Sequence, residues 1–298
     1  MLNIHRYAEH AFRVDRARPL LGTLVKIGLA SVRDDSSEVD RAFDIIQRIH
    51  GLMSFHEPDS DVTRLNRYAS IAPVAVHRHT AAVIRLALDI SAACDGIFDI
   101  TIAPTLVDWE LLPAPQGAPA PDRHASWRDI EFVDAEHIRF NHPLWIDLGG
   151  IAKGYAVDIA MEQLFLATGA QCHVNAGGDA RVEGPMSEQV LLQVPGHGME
   201  TLPVIELASG SIASSSRQSS LHSHADTPRQ PHVHGVQRCA VGTDRFVSVL
   251  AKRCVVADAL TKVVLAEGAA ATAMLDAFQA RALLFDQRNG WQSFGYEH

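Results

Sequence analysis

The segment from residue 147 to residue 158 constrains the fold of this chain more than any other. It reads Asp147-Leu-Gly-Gly-Ile-Ala-Lys-Gly-Tyr-Ala-Val-Asp158. This order predicts a strand that ends at Asp147, a turn at the two glycines and a helix over 151–168. Glycines let a backbone approach a ligand closely, and the free N–H groups of a helix's first turn can bind an anion. The segment therefore indicates either a phosphate-binding turn or an ordinary strand-to-helix connection.

The rest of the chain predicts strands and helices mixed without strict alternation. Apolar residues at helical spacing predict helices that begin at Ser36 or Ser37 and that cover 80–93, 255–266 and 270–280. Alternating or apolar runs predict strands at 23–30, 130–133, 137–140, 144–147, 189–194, 202–207, 246–251 and 281–285. Pro, Ala, Ser and His enrichment predicts surface loops at 111–127 and 214–235. This mixture indicates an α+β protein rather than a doubly wound one.

Composition argues against several classes of function. The chain has 298 residues and a formal net charge of -9, whereas sequence-independent binding to nucleic acid needs a basic face. Its four cysteines include no C-x-x-C pair, so neither a zinc site nor a disulfide scaffold is indicated. No segment has the ~20 apolar residues of a membrane span, and the first residues lack a signal-peptide run. We therefore expect a cytoplasmic protein that binds neither nucleic acid nor membrane.

Further polar groups lie at the boundaries of predicted elements. Asn175 and Asp179 flank a Gly-Gly pair, which by itself is consistent with a hairpin turn. Asp258 lies at an apolar helix start, where a carboxylate needs a partner or a metal unless it caps the helix. Two other segments, 53–66 and 95–101, combine polar groups with turn residues. None of these segments identifies a reaction alone.

Taken in order, these segments resemble the ApbE family of FAD:protein FMN transferases. The residues that carry the resemblance are Leu21-Gly-Thr23, 53–66, 96–101 with the later Trp109, 147–156, 174–179 and 257–260. The runs at 147–156 and 174–179 match the family pattern fully. The resemblance implies one ApbE-like domain over 18–290 and an N-terminal extension over 1–17. It also implies a T-fold-related α+β architecture of mixed, mainly antiparallel sheets packed with helices.

The resemblance further implies an activity. Family members bind FAD, cleave its pyrophosphate with a divalent metal, usually magnesium, and attach FMN through a phosphoester to a Ser or Thr of an acceptor protein. AMP leaves. FAD, magnesium and an acceptor protein are therefore the expected partners. Two alternatives stay open, namely an FAD-binding protein without transferase activity and a metal-dependent FAD pyrophosphatase.

The resemblance also assigns roles to individual residues. Asp147, Gly150 and Lys153 would line the diphosphate. The Gly150 carbonyl and the Asp258 carboxylate would be metal ligands. Further cofactor contacts would come from Leu21, Ser54, His56, Gly96, Ile97 and Phe98.

One departure from the family pattern concerns the metal. The family has a Thr ligand four residues after its aspartate, but here that position is Lys262 and the Thr lies one residue earlier, at Thr261. A protonated Lys cannot ligate a metal. Asp258 and Lys262 share one helical face, so Lys262 can stand where the cation would. Alternatively, Thr261 replaces the ligand, although a shift of one residue turns a helical side chain by about 100°.

A second departure concerns the family segment His-x-x-Asp-Pro-Arg-Thr-Gly, whose His lies near the reacting phosphate. This chain has no clean copy. We favour His232 as the base or phosphate contact, because its separation from Asp258 is close to the family's and Gly235 follows it. His224 keeps a Pro-Arg pair and is the alternative. A third reading is that these loop histidines are simply solvated.

Overall fold

The computed structural model describes residues 12–194, 203–216, 231–241 and 245–296. Its strands are β1 (Phe12–Leu20), β2 (Thr23–Ser31), β3 (Val74–Ala75), β4 (Ile130–Phe132), β5 (His137–Phe140), β6 (Gln171–Ala176), β7 (Asp179–Glu183), β8 (Glu188–Leu191), β9 (Val204–Leu207), β10 (Gly210–Ser216), β11 (Arg245–Ala251), β12 (Arg281–Asp286) and β13 (Gly290–Gly295). Its α-helices are α1 (Ser36–Met53), α2 (Asp61–Tyr68), α3 (Arg78–Ala93), α4 (Ala103–Asp108), α5 (Ala152–Thr168), α6 (Cys254–Glu267) and α7 (Thr272–Ala277).

An eight-stranded sheet forms the centre of the fold, in the order β1-β2-β6-β7-β10-β11-β12-β13. Every neighbouring pair in it is antiparallel. A three-stranded sheet, β3-β5-β4, and a two-stranded ribbon, β8-β9, accompany it. The predicted α+β class with mainly antiparallel sheets is confirmed.

Helices α1, α5 and α6 cover one face of the large sheet. Helix α1 packs on α5, α5 packs on α6, and α6 packs on β10 and β11. Val39, Phe43 and Ile46 of α1 are fully buried at helical spacing, and burying each such side chain stabilises the fold by about 1.5–3 kcal/mol. Among the described residues, no helix is both long enough and apolar enough to cross a bilayer.

The opposite face of the sheet carries a second, smaller core. Successive strand residues alternate between faces, so Ile212 and Phe246 point away from Ala213 and Val247, which belong to the main core. The second core also contains Ala180, Val182, Leu192, Val194 and Leu207. The ribbon β8-β9 therefore packs against the face of the sheet that the helices leave open.

Strand β1 was not predicted from the sequence. It pairs with β2 along its whole length, from Phe12 opposite Ser31 to Leu20 opposite Thr23. The large sheet thus begins ahead of the predicted domain boundary at residue 18. As an edge strand, β1 keeps its side chains exposed or half-buried, so it lacks the apolar alternation by which strands are recognised.

The strand predicted at 144–147 is wrong, although its apolar residues are buried. The Asn66 side chain replaces a neighbouring strand there. Its amide nitrogen donates to the Ile146 carbonyl at 3.1 Å, and its amide oxygen accepts from the Ile146 N–H at 2.8 Å. The backbone polar groups are thus satisfied without a ladder.

Two other boundaries also need correction. The predicted loop at 214–235 begins with the end of β10, and its residues 217–230 lie outside the described residues. The helix predicted at 270–280 is instead a 3-10 turn, Gly268–Ala271, followed by the short α7. The loop predicted at 111–127 is confirmed over 111–126, and Trp127 begins a 3-10 turn, Trp127–Asp129.

Candidate functional site

A cavity of about 1170 Å³ opens beside the first turn of α5. That volume is slightly above the range of about 300–1,000 Å³ that is usual for small-molecule sites. Most of the site residues predicted from the sequence line it, namely Leu21, Ser54, His56, Phe98, Asp147, Gly150, Lys153, His232 and Lys262. The structure therefore brings together segments that are far apart in the sequence.

Two lysines and two buried aspartates meet at the base of this cavity. Lys153 forms an ion pair with Asp179, and its Nζ lies 3.9 Å from Asp258 Oδ2. Lys262 forms an ion pair with Asp258 Oδ1 and donates to the Asp258 carbonyl at 2.9 Å. The lysines line the cavity, whereas the carboxylates lie beneath them. We call these four residues the charged cluster.

Burial and mutual charge set the ionisation of the charged cluster. Burial raises the pKa of Asp179 to about 6, and the neighbouring Asp258 acts in the same direction. Burial also opposes the ionisation of Asp258, but Lys153 and Lys262 outweigh it and lower its pKa. For Lys153, burial acts to lower the pKa, yet Asp258 and Asp179 hold it above its ordinary value. Lys153 is therefore an ammonium ion at neutral pH.

Close packing of α5 on α6 brings the two lysines together. The Gly154 N–H, in the first turn of α5, donates to Asp258 Oδ2 at 3.0 Å. A Cβ at Gly154 would lie only 2.4 Å from the Cys254 carbonyl oxygen and 2.8 Å from the Asp258 Cβ. A glycine is needed there because any side chain would push α6, with Asp258 and Lys262, away from the start of α5.

Asp158 caps α6, a role that the sequence analysis missed. It is fully buried, and its carboxylate accepts from the Cys254 N–H at 2.9 Å and from the Val255 N–H at 3.0 Å. It also forms an ion pair with the Arg181 guanidinium at 2.9 Å. Asp158 therefore fixes the start of the helix that carries Asp258 and Lys262.

The segment 231–241 folds back on itself and is hydrogen-bonded to residues 97–101. Within the segment, the Val241 N–H donates to the His232 carbonyl at 2.9 Å. Gly235 N–H donates to the Ile97 carbonyl at 2.9 Å. Arg238 donates to Asp99 at 3.0 Å and to the Thr101 hydroxyl at 2.8 Å. These contacts hold His232 at the cavity.

His232 is a neutral imidazole in this position. Burial lowers its pKa to about 3, and the positive charge of Lys262 acts in the same direction. Its Nε2 is buried and has no hydrogen-bond partner within the described part of the chain. A buried polar atom of this kind needs a partner, which a bound ligand or an ordered water can supply. The alternative, His224, lies outside the described residues.

Some predicted site residues do not line the cavity. Gly96 and Ile97 instead lie against the segment 231–241, where Ile97 accepts the Gly235 hydrogen bond. Thr261 is fully buried; its hydroxyl donates to the Asp258 carbonyl at 2.7 Å and lies 2.9 Å from the Ser215 hydroxyl. Thr261 and Lys262 are neighbours on α6, so their side chains are turned about 100° from each other. Lys262 lines the cavity, whereas Thr261 does not.

These residues do not fit a magnesium ion. Mg²⁺ requires near-octahedral oxygen ligands at about 2.0–2.1 Å. Asp258 already accepts from Lys262 and from the Gly154 N–H, and the Thr261 hydroxyl is used elsewhere. Of the three expected protein ligands, Gly150 alone lines the cavity. Asp258 and Thr261 do not line it and already make the hydrogen bonds described above.

Gly235 should tolerate no side chain. A Cβ there would lie 2.1 Å from the Gly96 carbonyl oxygen and 2.7 Å from the Asp99 Cβ. Because backbone must move to relieve that overlap, we expect Gly235→Ala to destabilise the protein by about 1–3 kcal/mol in urea unfolding. Gly51→Ala is the matched control, since nothing lies within 4 Å of its Cβ position in α1. The control should be neutral or stabilising by up to about 1 kcal/mol, and equal losses in both variants would contradict the expected clash.

Fold and site together define the class, an α+β protein whose cavity presents ammonium groups and a helix N-terminus, as anion-binding sites do. Comparison with known families is then specific. The chain belongs to the ApbE family, whose model matches residues 21–284.

Individual relatives agree with this assignment. The chain is 26% identical over 271 residues to an FAD:protein FMN transferase of Vibrio cholerae, covering 84% of this chain and 80% of the relative. It is 25% identical over 168 residues to the Haemophilus influenzae protein of the same name, covering 51% of this chain and 49% of that one. The crystal structure of the ApbE protein from Thermotoga maritima superposes with a TM-score of 0.83 at 23% identity, over 96% of this chain and 97% of the other. At that identity, the superposition shows the fold.

Proposed function

We propose that this protein is an FAD:protein FMN transferase. It cleaves the diphosphate of FAD and attaches FMN through a phosphoester to a Ser or Thr hydroxyl of an acceptor protein, with AMP as the leaving group. The observation that carries the proposal is the meeting of Lys153, Lys262 and the start of α5 with a neutral His232 at one cavity. Membership of the ApbE family supports the same activity.

The chain's own residues suit attack at phosphorus. Lys153 and the first-turn N–H groups of α5 bind the diphosphate and oppose its charge. The acceptor hydroxyl forms a new bond to the phosphorus of the FMN half, and the bond from that phosphorus to the bridging oxygen breaks. AMP departs with the bridging oxygen. His232 takes the hydroxyl proton, because its ring is neutral and its Nε2 lies at the cavity with no hydrogen bond from the described part of the chain.

One incubation tests the proposed function. The purified protein is mixed with FAD and a candidate acceptor protein, with and without magnesium, and the products are separated. We expect flavin that stays on the acceptor in a denaturing gel, together with AMP. Intact bound FAD would instead indicate a binding protein without transfer. Free AMP and free FMN in equal amounts would indicate a pyrophosphatase.

Lys153 should bind FAD chiefly through the diphosphate. We expect the protein to bind FAD more tightly than FMN, and Lys153→Ala to weaken FAD binding by about 1–3 kcal/mol through the loss of a charge-assisted hydrogen bond. Calorimetry measures both. Lys26→Ala is the control, because Lys26 also lines the cavity but is exposed and should act only through a screened charge. Equal affinities for FAD and FMN, or equal losses in the two variants, would contradict this role.

A further inference from the structure

We propose that the Lys262 ammonium, acting with Lys153, neutralises the FAD diphosphate in this chain and takes the position that the ApbE family pattern gives to a divalent metal ion. FAD binding would then be independent of magnesium. This inference rests on the proposed function, because it concerns the charge on the same diphosphate.

The position of Lys262 carries the proposal. It lies one helical turn after Asp258, forms an ion pair with Asp258 Oδ1 and donates to the Asp258 carbonyl at 2.9 Å. Its side chain is only 16% exposed, yet it lines the cavity. An ammonium group has three N–H donors. Asp258 takes two of them, which leaves one for a ligand oxygen in the cavity.

The charged cluster is already balanced. Two carboxylates, Asp179 and Asp258, face two ammonium groups, Lys153 and Lys262. A divalent cation bound to Asp258 would add positive charge beside both lysines and would have to displace Lys262 from the carboxylate. An anionic diphosphate has the opposite effect, because it lies against the cavity-facing ammonium groups. Lys262 therefore already supplies a cation at Asp258, and the lysines rather than the carboxylates face a ligand in the cavity.

Thr261 does not restore the missing ligand. Its hydroxyl donates to the Asp258 carbonyl and lies 2.9 Å from the Ser215 hydroxyl, and the residue is fully buried. To reach the cavity, it would have to leave both partners and turn about 100° around α6. The hydroxyl oxygen that the family places four residues after its aspartate is therefore absent from this site.

The test measures FAD affinity in the presence of a chelator and in the presence of millimolar magnesium. It compares the wild type with three variants at position 262. Lys262→Thr supplies a hydroxyl oxygen, Lys262→Met removes the charge without supplying a ligand, and Lys262→Arg keeps the charge. Thermal unfolding of each variant reports whether it folds. Magnesium alone is also titrated into the wild type and into Asp258→Asn by calorimetry.

We expect the wild type and Lys262→Arg to bind FAD with affinities that differ by less than about 2-fold between chelator and magnesium. In the presence of the chelator, Lys262→Thr should bind FAD about 10-fold or more weakly than the wild type, and magnesium should restore its affinity. Lys262→Met should bind FAD more weakly under both conditions. The proposal is overturned if wild-type FAD binding requires magnesium, or if magnesium binds stoichiometrically to the wild type and not to Asp258→Asn. The magnesium dependence of wild-type FAD binding decides the matter even if a variant fails to fold.

The experiment separates this inference from the proposed function. Affinity is read without turnover, so an absence of flavin transfer would remove the proposed function and leave the binding result in place. Conversely, if flavin transfer occurs but FAD binding requires magnesium, only the proposed role of Lys262 is overturned.

Discussion

His232→Ala is expected to slow flavin transfer by about 100-fold or more while leaving FAD affinity largely intact. The reason is geometric: His232 Nε2 is buried at the cavity, no described residue hydrogen-bonds to it, and the ring is neutral, so it can accept the proton of an attacking hydroxyl. Initial rates of acceptor labelling and calorimetric FAD affinity measure the two effects separately.

The pKa of His232 should rise when FAD binds. In the free protein it is about 3, chiefly because of burial and then because of Lys262. A group with so low a pKa is a weak base at neutral pH. Negative phosphate oxygens favour the imidazolium form and partly offset Lys262, so the pKa shifts upward, toward the range in which a general base is effective. Titration of the ring resonances by NMR, with and without FAD, follows the shift.

Two other histidines serve as comparisons for His232. His234 lies two residues along the same segment, does not line the cavity and has Nε2 3.7 Å from Glu267. His234→Ala should therefore transfer flavin at close to the wild-type rate. His224→Ala should also matter less than His232→Ala. A larger loss in His224→Ala would show that His224 is the base.

Local spacing predicted those parts of the site that lie within one element. The interval between Asp258 and Lys262 predicts that they meet on one helical face, and their ion pair confirms it. The Gly-Gly pair between Asn175 and Asp179 predicts a hairpin, and β6 and β7 form one with Ala176 opposite Asp179. The turn before α5 was recognised for the same reason, since its glycines and helical pattern are continuous in the chain.

Contacts between distant segments had no local signal. Lys153 pairs with Asp179 because α5 packs over β6 and β7, and Arg238 pairs with Asp99 because the segment 231–241 lies against the turn before α4. No periodicity relates such residues. Asn66 is a further case: it replaces a ladder at Ile146, so an apolar run that resembles a strand is not one.

Loss of the α6 cap should have the largest effect on stability. Asp158→Ala leaves the Cys254 and Val255 N–H groups without their acceptor and removes one of the carboxylates that pair with Arg181, although Glu183 stays paired at 2.9 Å. A buried donor left without its acceptor typically costs about 1–3 kcal/mol, and here two N–H groups lose theirs. We expect a loss of that size in the free energy of unfolding, measured in urea. Asp158→Asn should lose less, because its amide oxygen can still accept one of the two N–H groups.

Glu162→Gln is the control for Asp158→Ala, because it removes a negative charge near Arg181 and leaves the cap of α6 in place. Glu162 also lies 3.4 Å from Arg181, but its side chain is 49% exposed, so its removal should cost less than about 1 kcal/mol. Equal losses in Asp158→Ala and Glu162→Gln would show that Asp158 does not hold α6. If it does hold α6, Asp158→Ala should also weaken FAD binding under conditions in which the variant is folded. The physical reason is that Asp258 and Lys262 reach the cavity only when the start of α6 is fixed against α5.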